Sequence, residues 1–131
     1  MTAVWATPVS FDPPYLAICI GKKRYSHNLI KETKEFALNF PSAEMKDAVV
    51  ICGSISGKNT DKFKEANLTQ LKAKKIKAPL IKECLASIEC KVVNEINAGD
   101  HTIFVGEVLA AQKNKEGKIL LDKGGENFIE L

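Results

Sequence analysis

The alternation of apolar and polar positions along the chain predicts a protein built mainly from strands. Residues 15–20 are apolar throughout, which predicts a strand that is buried on both faces. In residues 85–95 apolar and polar positions alternate, with Ser87, Glu89 and Lys91 on the polar side. That pattern predicts a strand with one buried and one exposed face.

A turn and a second strand follow, and a histidine lies at their junction. Residues 97–100 have the composition of a tight turn, and β-branched and aromatic residues are frequent in the segment 102–108. We therefore predict an antiparallel hairpin with His101 at the mouth of its second strand. An imidazole in that place can donate, accept or exchange a proton near neutral pH. It can equally serve only to tie down the turn, and both interpretations stay open.

The two ends of the chain add further strands. Residues 1–7 have the pattern of a strand without a polar lead-in, which we interpret as a start that lacks the preceding strands. Pro8 suits an edge strand or a bulge, because proline has no amide hydrogen to donate. Residues 119–121 predict a third strand, which would continue the predicted hairpin as an antiparallel meander. Strands joined by short turns, with two or three short helices, predict a mainly β barrel or closed sandwich.

A basic loop precedes the first predicted helix. Residues 22–25 carry three cations, and Ser26 is predicted to cap a helix from His27 to about residue 34, with Leu29 and Ile30 on its apolar side. A helix start presents free amide hydrogens and a positive dipole, so it stabilises an anion such as phosphate. The alternative is an ordinary exposed loop with an ordinary cap.

A second polar loop follows the second predicted helix. Ser42 is predicted to cap this helix and Gly53 to close it. The polar loop 54–63 then leads into a short helical turn that we expect Thr60 to cap. This loop is a second candidate anion site, although it matches no complete phosphate-loop pattern, and a plain surface loop remains the alternative.

Composition limits the classes of function. The 131 residues, 45% hydrophobic and 27% charged, fit one globular domain over residues 1–131. No apolar run is long enough to cross a bilayer and no signal peptide is visible, so we expect a cytoplasmic protein that binds no membrane.

Charge and cysteine spacing add two negative expectations. The net charge is +3, and the lysine-rich residues 72–77 favour a solvated face over nucleic-acid binding, because no aromatic residues interleave them. The four cysteines form no Cys-x-x-Cys pair and the histidines lack zinc-site spacing, so we expect no metal site.

Several blocks of the chain together resemble one protein family. In chain order they resemble the flavin reductase-like, flavoredoxin-type family: residues 2–14, 24–30, 36–40, 52–58, 61–63 and 99–108. Each block is modest alone, and their order is more specific. The resemblance implies an FMN-binding split β-barrel of antiparallel strands, usually a homodimer, in which NADH or NADPH or a partner protein reduces the FMN. Members of the family usually carry some tens of residues before the block that begins here.

The resemblance also implies roles for particular residues. Those expected to line the isoalloxazine ring of FMN are Trp5, Ala6, Thr7 and Ser10. Those expected near the phosphate or the ribityl chain are Arg24, Ser26 and Asn28, and those expected to close over it are Ser56, Gly57, Lys58 and Lys62. His101 is expected beside the ring or the hydride donor, as the catalytic residue.

Three functions remain in view. The first is an FMN-dependent oxidoreductase that passes electrons from NADH or NADPH to free flavin, ferric complexes or a partner protein. The second is a flavin-binding electron carrier without its own nicotinamide site. The third is a cofactor-free barrel that acts as a binding module, with nucleic acid reached through residues 72–77.

Overall fold

A computed structural model describes all of residues 1–131. Its strands are β1 (Ala6–Ser10), β2 (Tyr15–Gly21), β3 (Glu35–Phe40), β4 (Gln70–Leu71), β5 (Leu80–Ile81), β6 (Ala86–Ala98), β7 (His101–Lys113), β8 (Leu120–Asp122) and β9 (Phe128–Glu130). Its helices are α1 (Tyr25–Thr33), the 3-10 helix Ala43–Met45, α2 (Lys46–Ser54) and α3 (Lys62–Glu65). The predicted mainly β class with few short helices is confirmed. None of these helices has the length and apolar character needed to cross a membrane.

Five antiparallel strands form the main sheet, in the order β1-β2-β7-β6-β3. The predicted hairpin is formed by β6 and β7, with Ala98 opposite His101 and the turn at Gly99 and Asp100. Gly99 has φ of 59°, a conformation that glycine adopts without steric cost. The prediction that His101 opens the second strand is confirmed.

The core lies on one face of this sheet. Its buried members are Ile18, Ile20, Phe36, Cys90 and Phe104, and Ile30 of α1 packs against them. Leu29, predicted on the apolar side of the same helix, is 41% exposed. That prediction was wrong because His27, which is 7% exposed, takes the inward position instead.

The chain enters its helices at other residues than predicted. Arg24, not Ser26, is the N-cap of α1, because the turn in which the Arg24 amide donates to the Gly21 carbonyl starts the helix two residues earlier. The short helix α3 is capped by Asp61, whose Oδ1 accepts from the amides of Phe63 and Lys64 at 3.1 and 3.4 Å, so the prediction for Thr60 was wrong.

The second helical segment is also divided differently. Ser42 takes the predicted N-cap position, although of the 3-10 helix that leads into α2 and without a side-chain capping bond. The predicted stop at Gly53 was wrong, because α2 continues through Gly53 to Ser54.

The edge strand β1 agrees with the prediction for Pro8, because it pairs with β2 alone and its register shifts between Pro8 and Ser10. The strand begins only at Ala6, although the Trp5 carbonyl still accepts from the Cys19 amide at 3.0 Å. Several apolar side chains along this edge are exposed: Val4, Trp5, Val9 and Phe11.

Two strand predictions fail for non-local reasons. Residues 119–121 do not extend the meander, because β8 pairs with β9 in a separate two-stranded sheet. Ser87 and Glu89 are not on an exposed face: their exposed fractions are 0% and 1%. Ser87 Oγ donates to Asn39 Oδ1 at 2.8 Å, and the Glu89 carboxylate accepts from the amides of Lys74 and Lys75 at 2.9 and 2.6 Å.

Candidate functional site

Several predicted site residues meet where β2 ends and β7 begins. Gly21 pairs directly with His101 in the ladder, and the Lys22 amide donates to the Asp100 carbonyl at 2.9 Å. Directly opposed residues of an antiparallel pair face the same side of the sheet. The ladder therefore leaves a gap beside His101, because Gly21 has no side chain.

The imidazole of His101 is held on two sides. Its Nδ1 donates to Asp100 Oδ1 at 2.7 Å, and its ring centroid lies 4.8 Å from that of Trp5, with the planes tilted by 39°. The hydrogen bond from His101 holds the pKa of the Asp100 carboxyl below its usual range. Because Nδ1 carries the hydrogen, a neutral imidazole leaves the Nε2 lone pair free.

The free nitrogen faces the gap at Gly21. A Cβ built on Gly21 would lie 3.6 Å from His101 Nε2 and 3.6 Å from Arg24 Cγ. The imidazole and the arginine stem thus flank the same small space. Arg24 is also the N-cap residue of α1, and the amides of Tyr25 and Ser26 that follow it have no backbone partner.

Lys62 brings a second cation towards Arg24. Its Nζ donates to the Cys52 carbonyl at 2.7 Å, at the C-terminal end of α2. Burial lowers the pKa of the Lys62 ammonium; the Cys52 thiol raises it in part, and the charge of Arg24 lowers it again. Arg24 and Lys62 thus add two cations to neighbouring segments, and such a region favours an anion.

Gly57 ties the second loop to this cluster. A Cβ on Gly57 would lie 3.8 Å from Lys62 Cε and 3.9 Å from Tyr25 Cδ1. The polar loop after α2 therefore passes next to the first turn of α1. The two candidate anion loops of the sequence lie side by side.

The structure does not join all of the predicted residues by contacts. Ser56 and Lys58 are exposed in the loop, where the Lys58 amide donates to Ser56 Oγ at 3.3 Å. Ser26 is half-buried in the first turn of α1 and Asn28 is exposed in the next. Ser10 pairs with Tyr15 at the far end of β1.

The distance along β1 separates Ser10 from the cluster. Ala6 and Thr7 continue β1 directly from Trp5 and are exposed. Ser10 lies four residues beyond Ala6, a separation of roughly 13 Å along an extended strand. Its expected contact with the ring stays a prediction.

Sequence reasoning missed two residues of this site. Asp100 was interpreted only as a turn residue, although a carboxylate next to a histidine is itself a signal for a hydrogen-bonded pair. Tyr25 was interpreted only as part of the basic loop, and its ring lies beside Gly57. No local pattern in the sequence indicates that second contact, because the two residues belong to different elements.

The assembled site combines three chemical functions. It has a paired cationic region at the start of a helix, a half-exposed aromatic ring, and an imidazole with one free nitrogen. Such an arrangement suits a ligand that has an anionic group at one end and a planar ring at the other.

Comparisons with known proteins identify the family. The model of the family described as "Flavin reductase like domain" matches residues 1–128. An uncharacterised protein of Archaeoglobus fulgidus is 48% identical over 109 residues, which are 83% of this chain and 62% of that protein. An NADH-dependent FAD reductase of Streptomyces globisporus is 32% identical over 126 residues, covering 95% of this chain and 68% of the relative.

A solved structure agrees with the sequence comparisons. The crystal structure of an FMN-binding protein from Thermus thermophilus with bound 1-cyclohex-2-enone superposes with a TM-score of 0.87 at 28% identity, over 98% of this chain and 75% of that one. The chain thus spans only part of the length of these proteins. It belongs to the flavin reductase-like family.

Proposed function

We propose that this chain is an FMN-binding oxidoreductase that passes electrons from NADH or NADPH to free flavin, a ferric complex or a partner protein. The observation that carries the proposal is that Arg24 and His101 flank Gly21 beside the Trp5 ring, with Lys62 and Tyr25 together at Gly57 in the adjoining loop. The names of the similar proteins, an FMN-binding protein and an NADH-dependent FAD reductase, support the same chemistry.

The residues fit the phosphate end of FMN. A phosphate dianion needs several donors, and Arg24, Lys62 and the amides of Tyr25 and Ser26 would provide them. The further residues proposed to hold the phosphate or the ribityl chain are Ser26, Asn28, Ser56, Gly57 and Lys58.

The residues also fit the ring end. Trp5 is 60% exposed beside His101, so it has a free surface for a planar guest. The residues proposed to line the isoalloxazine are Trp5, Ala6, Thr7 and Ser10.

When bound, the flavin supplies hydride acceptance and electron release. The protein itself orients the flavin ring and provides His101 as a group that can carry a proton. Asp100 fixes the hydrogen of His101 on Nδ1, which leaves Nε2 to take or give a proton at the gap beside Gly21. Arg24 and Lys62 anchor the anionic tail, so the reacting ring is oriented by binding rather than by a side-chain nucleophile.

The test is a titration of the purified chain with FMN, followed by addition of NADH or NADPH without oxygen. We expect quenching of FMN fluorescence on binding, then bleaching of the flavin absorption. Arg24→Ala should raise the dissociation constant by about tenfold or more, because it removes a charged hydrogen-bond donor. The matched control is Lys31→Ala, which removes a cation from the last turn of the same helix.

The alternatives give different results. A chain that binds FMN but is bleached only when a separate reductase is added would be an electron carrier without a nicotinamide site. A chain that refuses FMN and binds oligonucleotides in a salt-sensitive manner would be a binding module. Equal FMN affinity of Arg24→Ala and Lys31→Ala would remove Arg24 from the site.

The proposal includes the assembly and the compartment. Residues 1–131 would act as one flavin-binding domain and pair into a homodimer, which the exposed apolar residues of the β1 edge support. Four free cysteines support a reducing, cytoplasmic compartment. Light scattering on the eluting protein would measure the mass: a dimer is expected near twice 14.4 kDa, and a monomer at all concentrations would contradict it.

A further inference from the structure

We propose that His27 is a positioning residue that fixes Arg24 relative to His101 by holding the start of α1 against β7. The inference rests on the proposed function, because it assigns a role in flavin binding to a residue that does not line the site. Its basis is one buried contact between two polar side chains.

The contact joins the helix to the strand beneath it. His27 Nε2 lies 2.8 Å from Thr102 Oγ1, and both residues are 7% exposed. The His27 ring also packs against Phe104 of the core, with centroids 5.4 Å apart. The contact is therefore shielded from water, where a hydrogen bond is stronger and its loss costs more.

This contact closes a ring of short connections around the site. The His27 amide donates to the Arg24 carbonyl at 3.0 Å, and the Arg24 amide donates to the Gly21 carbonyl at 3.0 Å. Gly21 in turn pairs with His101, which is next to Thr102 in β7. Arg24 and His101 are thus connected through hydrogen bonds, one peptide link and one directly opposed pair of the ladder.

The geometry lets His27 act without touching the flavin. Successive side chains of a strand point to opposite faces, so Thr102 and His101 lie on opposite sides of the sheet. His27 therefore contacts β7 from the core side, while His101 lies on the other side with its Nε2 unpaired. A contact of this kind sets positions and takes no direct part in chemistry.

A purely structural role would be served better by an apolar residue. Burying an imidazole and a hydroxyl costs free energy unless each polar atom is paired, and His27 Nδ1 is buried without a partner. The tautomer with its hydrogen on Nε2 is the least costly, because it donates to Thr102 and leaves only a lone pair unpaired. A polar contact kept at that cost specifies a direction of approach that apolar packing does not.

The first test compares flavin affinity with stability. Thr102→Val keeps the shape of the side chain and removes the hydroxyl, whereas Thr102→Ser restores it. Val108→Ala is the matched control, because Val108 packs against the same core further along β7. We expect Thr102→Val to raise the FMN dissociation constant about tenfold, Thr102→Ser to restore it within about twofold, and Val108→Ala to lower Tm without that change.

The second test uses nuclear magnetic resonance. The chain has only two histidines, so long-range ¹H–¹⁵N spectra resolve each imidazole. We expect opposite neutral tautomers: hydrogen on Nε2 for His27 and on Nδ1 for His101. In Thr102→Val the His101 signals should also shift, because the start of α1, which carries Arg24, is no longer held against β7.

The outcomes separate the two proposals. A wild-type chain that does not bind FMN would overturn the proposed function and the positioning role with it. A wild-type chain that binds FMN, with Thr102→Val affected no more than Val108→Ala at equal loss of Tm, would overturn the positioning role alone. His101 signals that stay unchanged in Thr102→Val would also overturn it.

Discussion

Gly21 lies directly opposite His101 in the β2–β7 ladder, and a Cβ on Gly21 would touch both the imidazole Nε2 and the stem of Arg24 at 3.6 Å. That distance is ordinary van der Waals contact, so alanine fits but a longer side chain occupies the gap. Gly21→Val should fold, since valine suits a strand, and should weaken FMN binding by tenfold or more while Gly21→Ala has a smaller effect. Fluorescence titration measures both; equal affinity of all three chains would show that the gap is not used.

His101→Ala should slow flavin reduction more than it weakens flavin binding. The imidazole is only partly buried and contacts the Trp5 ring, so its removal leaves the cationic anchor intact. Stopped-flow reduction by NADH should fall by about a hundredfold, the lower range for loss of a general acid or base, with the dissociation constant changed by less than about threefold. Unchanged reduction kinetics would return His101 to the role of a turn anchor.

Asp100→Asn should reveal a pH-dependent contribution of the Asp100–His101 pair. The pKa of the Asp100 carboxyl is lowered below 3.8 in the folded state, so its stabilising effect is fully present above that value. The effect is lost as the pH falls through the lowered pKa. The difference in Tm between the wild type and Asp100→Asn should therefore persist down to mildly acidic pH and vanish in strong acid. A difference that stays undiminished below the lowered pKa would contradict this assignment.

The four thiols should react in two classes. Burial raises the pKa of Cys84 and Cys90 to about 12, with the Glu83 charge adding to the effect at Cys84, whereas Cys19 and Cys52 are only half-buried. Because the thiolate is the reactive form, iodoacetamide at pH 8 should label Cys19 and Cys52 first. Mass spectrometry after timed quenching measures the order, and all four should react alike in denaturant.

Gly106→Ala should strongly destabilise the chain. A Cβ on Gly106 would lie 2.6 Å from the ring of Phe36 and 2.8 Å from Cys90 Cβ, so the core would have to shift. The expected loss of unfolding free energy is about 3 kcal/mol, at the upper end of ordinary overpacking. Gly53→Ala is the matched control. Gly53 lies inside α2 and its added Cβ would meet Thr2 at 3.5 Å, an ordinary contact, so this substitution should be neutral or stabilising. Urea unfolding would measure both.

The sequence could predict elements that depend on neighbouring residues. The hairpin of β6 and β7 follows from alternation and from Gly99 at the turn, and the bulge at Pro8 follows from the missing amide hydrogen. The cap of α1 could not be predicted, because it depends on the turn from Gly21 to Arg24. The pairing of β8 with β9 and the cover over Glu89 depend on distant segments, which local patterns do not encode.

The same limit applies to the candidate site. The chemistry of Arg24, Lys62 and His101 could be expected from residue type and loop position. Their meeting could not, since it requires the end of β2, the start of β7 and the loop after α2 to lie together. The Asp100 contact was within reach of sequence reasoning, whereas the His27 contact with Thr102 spans 75 residues.

The carboxylates of Glu89 and Glu35 bind the segment 72–78 through its backbone, by accepting hydrogen bonds from the amides of residues 74, 75, 77 and 78. The lysine side chains of that segment are exposed. Main-chain amides are present whatever the side chain, proline excepted. The lysines of this segment can therefore be replaced by neutral or acidic residues in the course of evolution without loss of the hydrogen bonds that hold the segment.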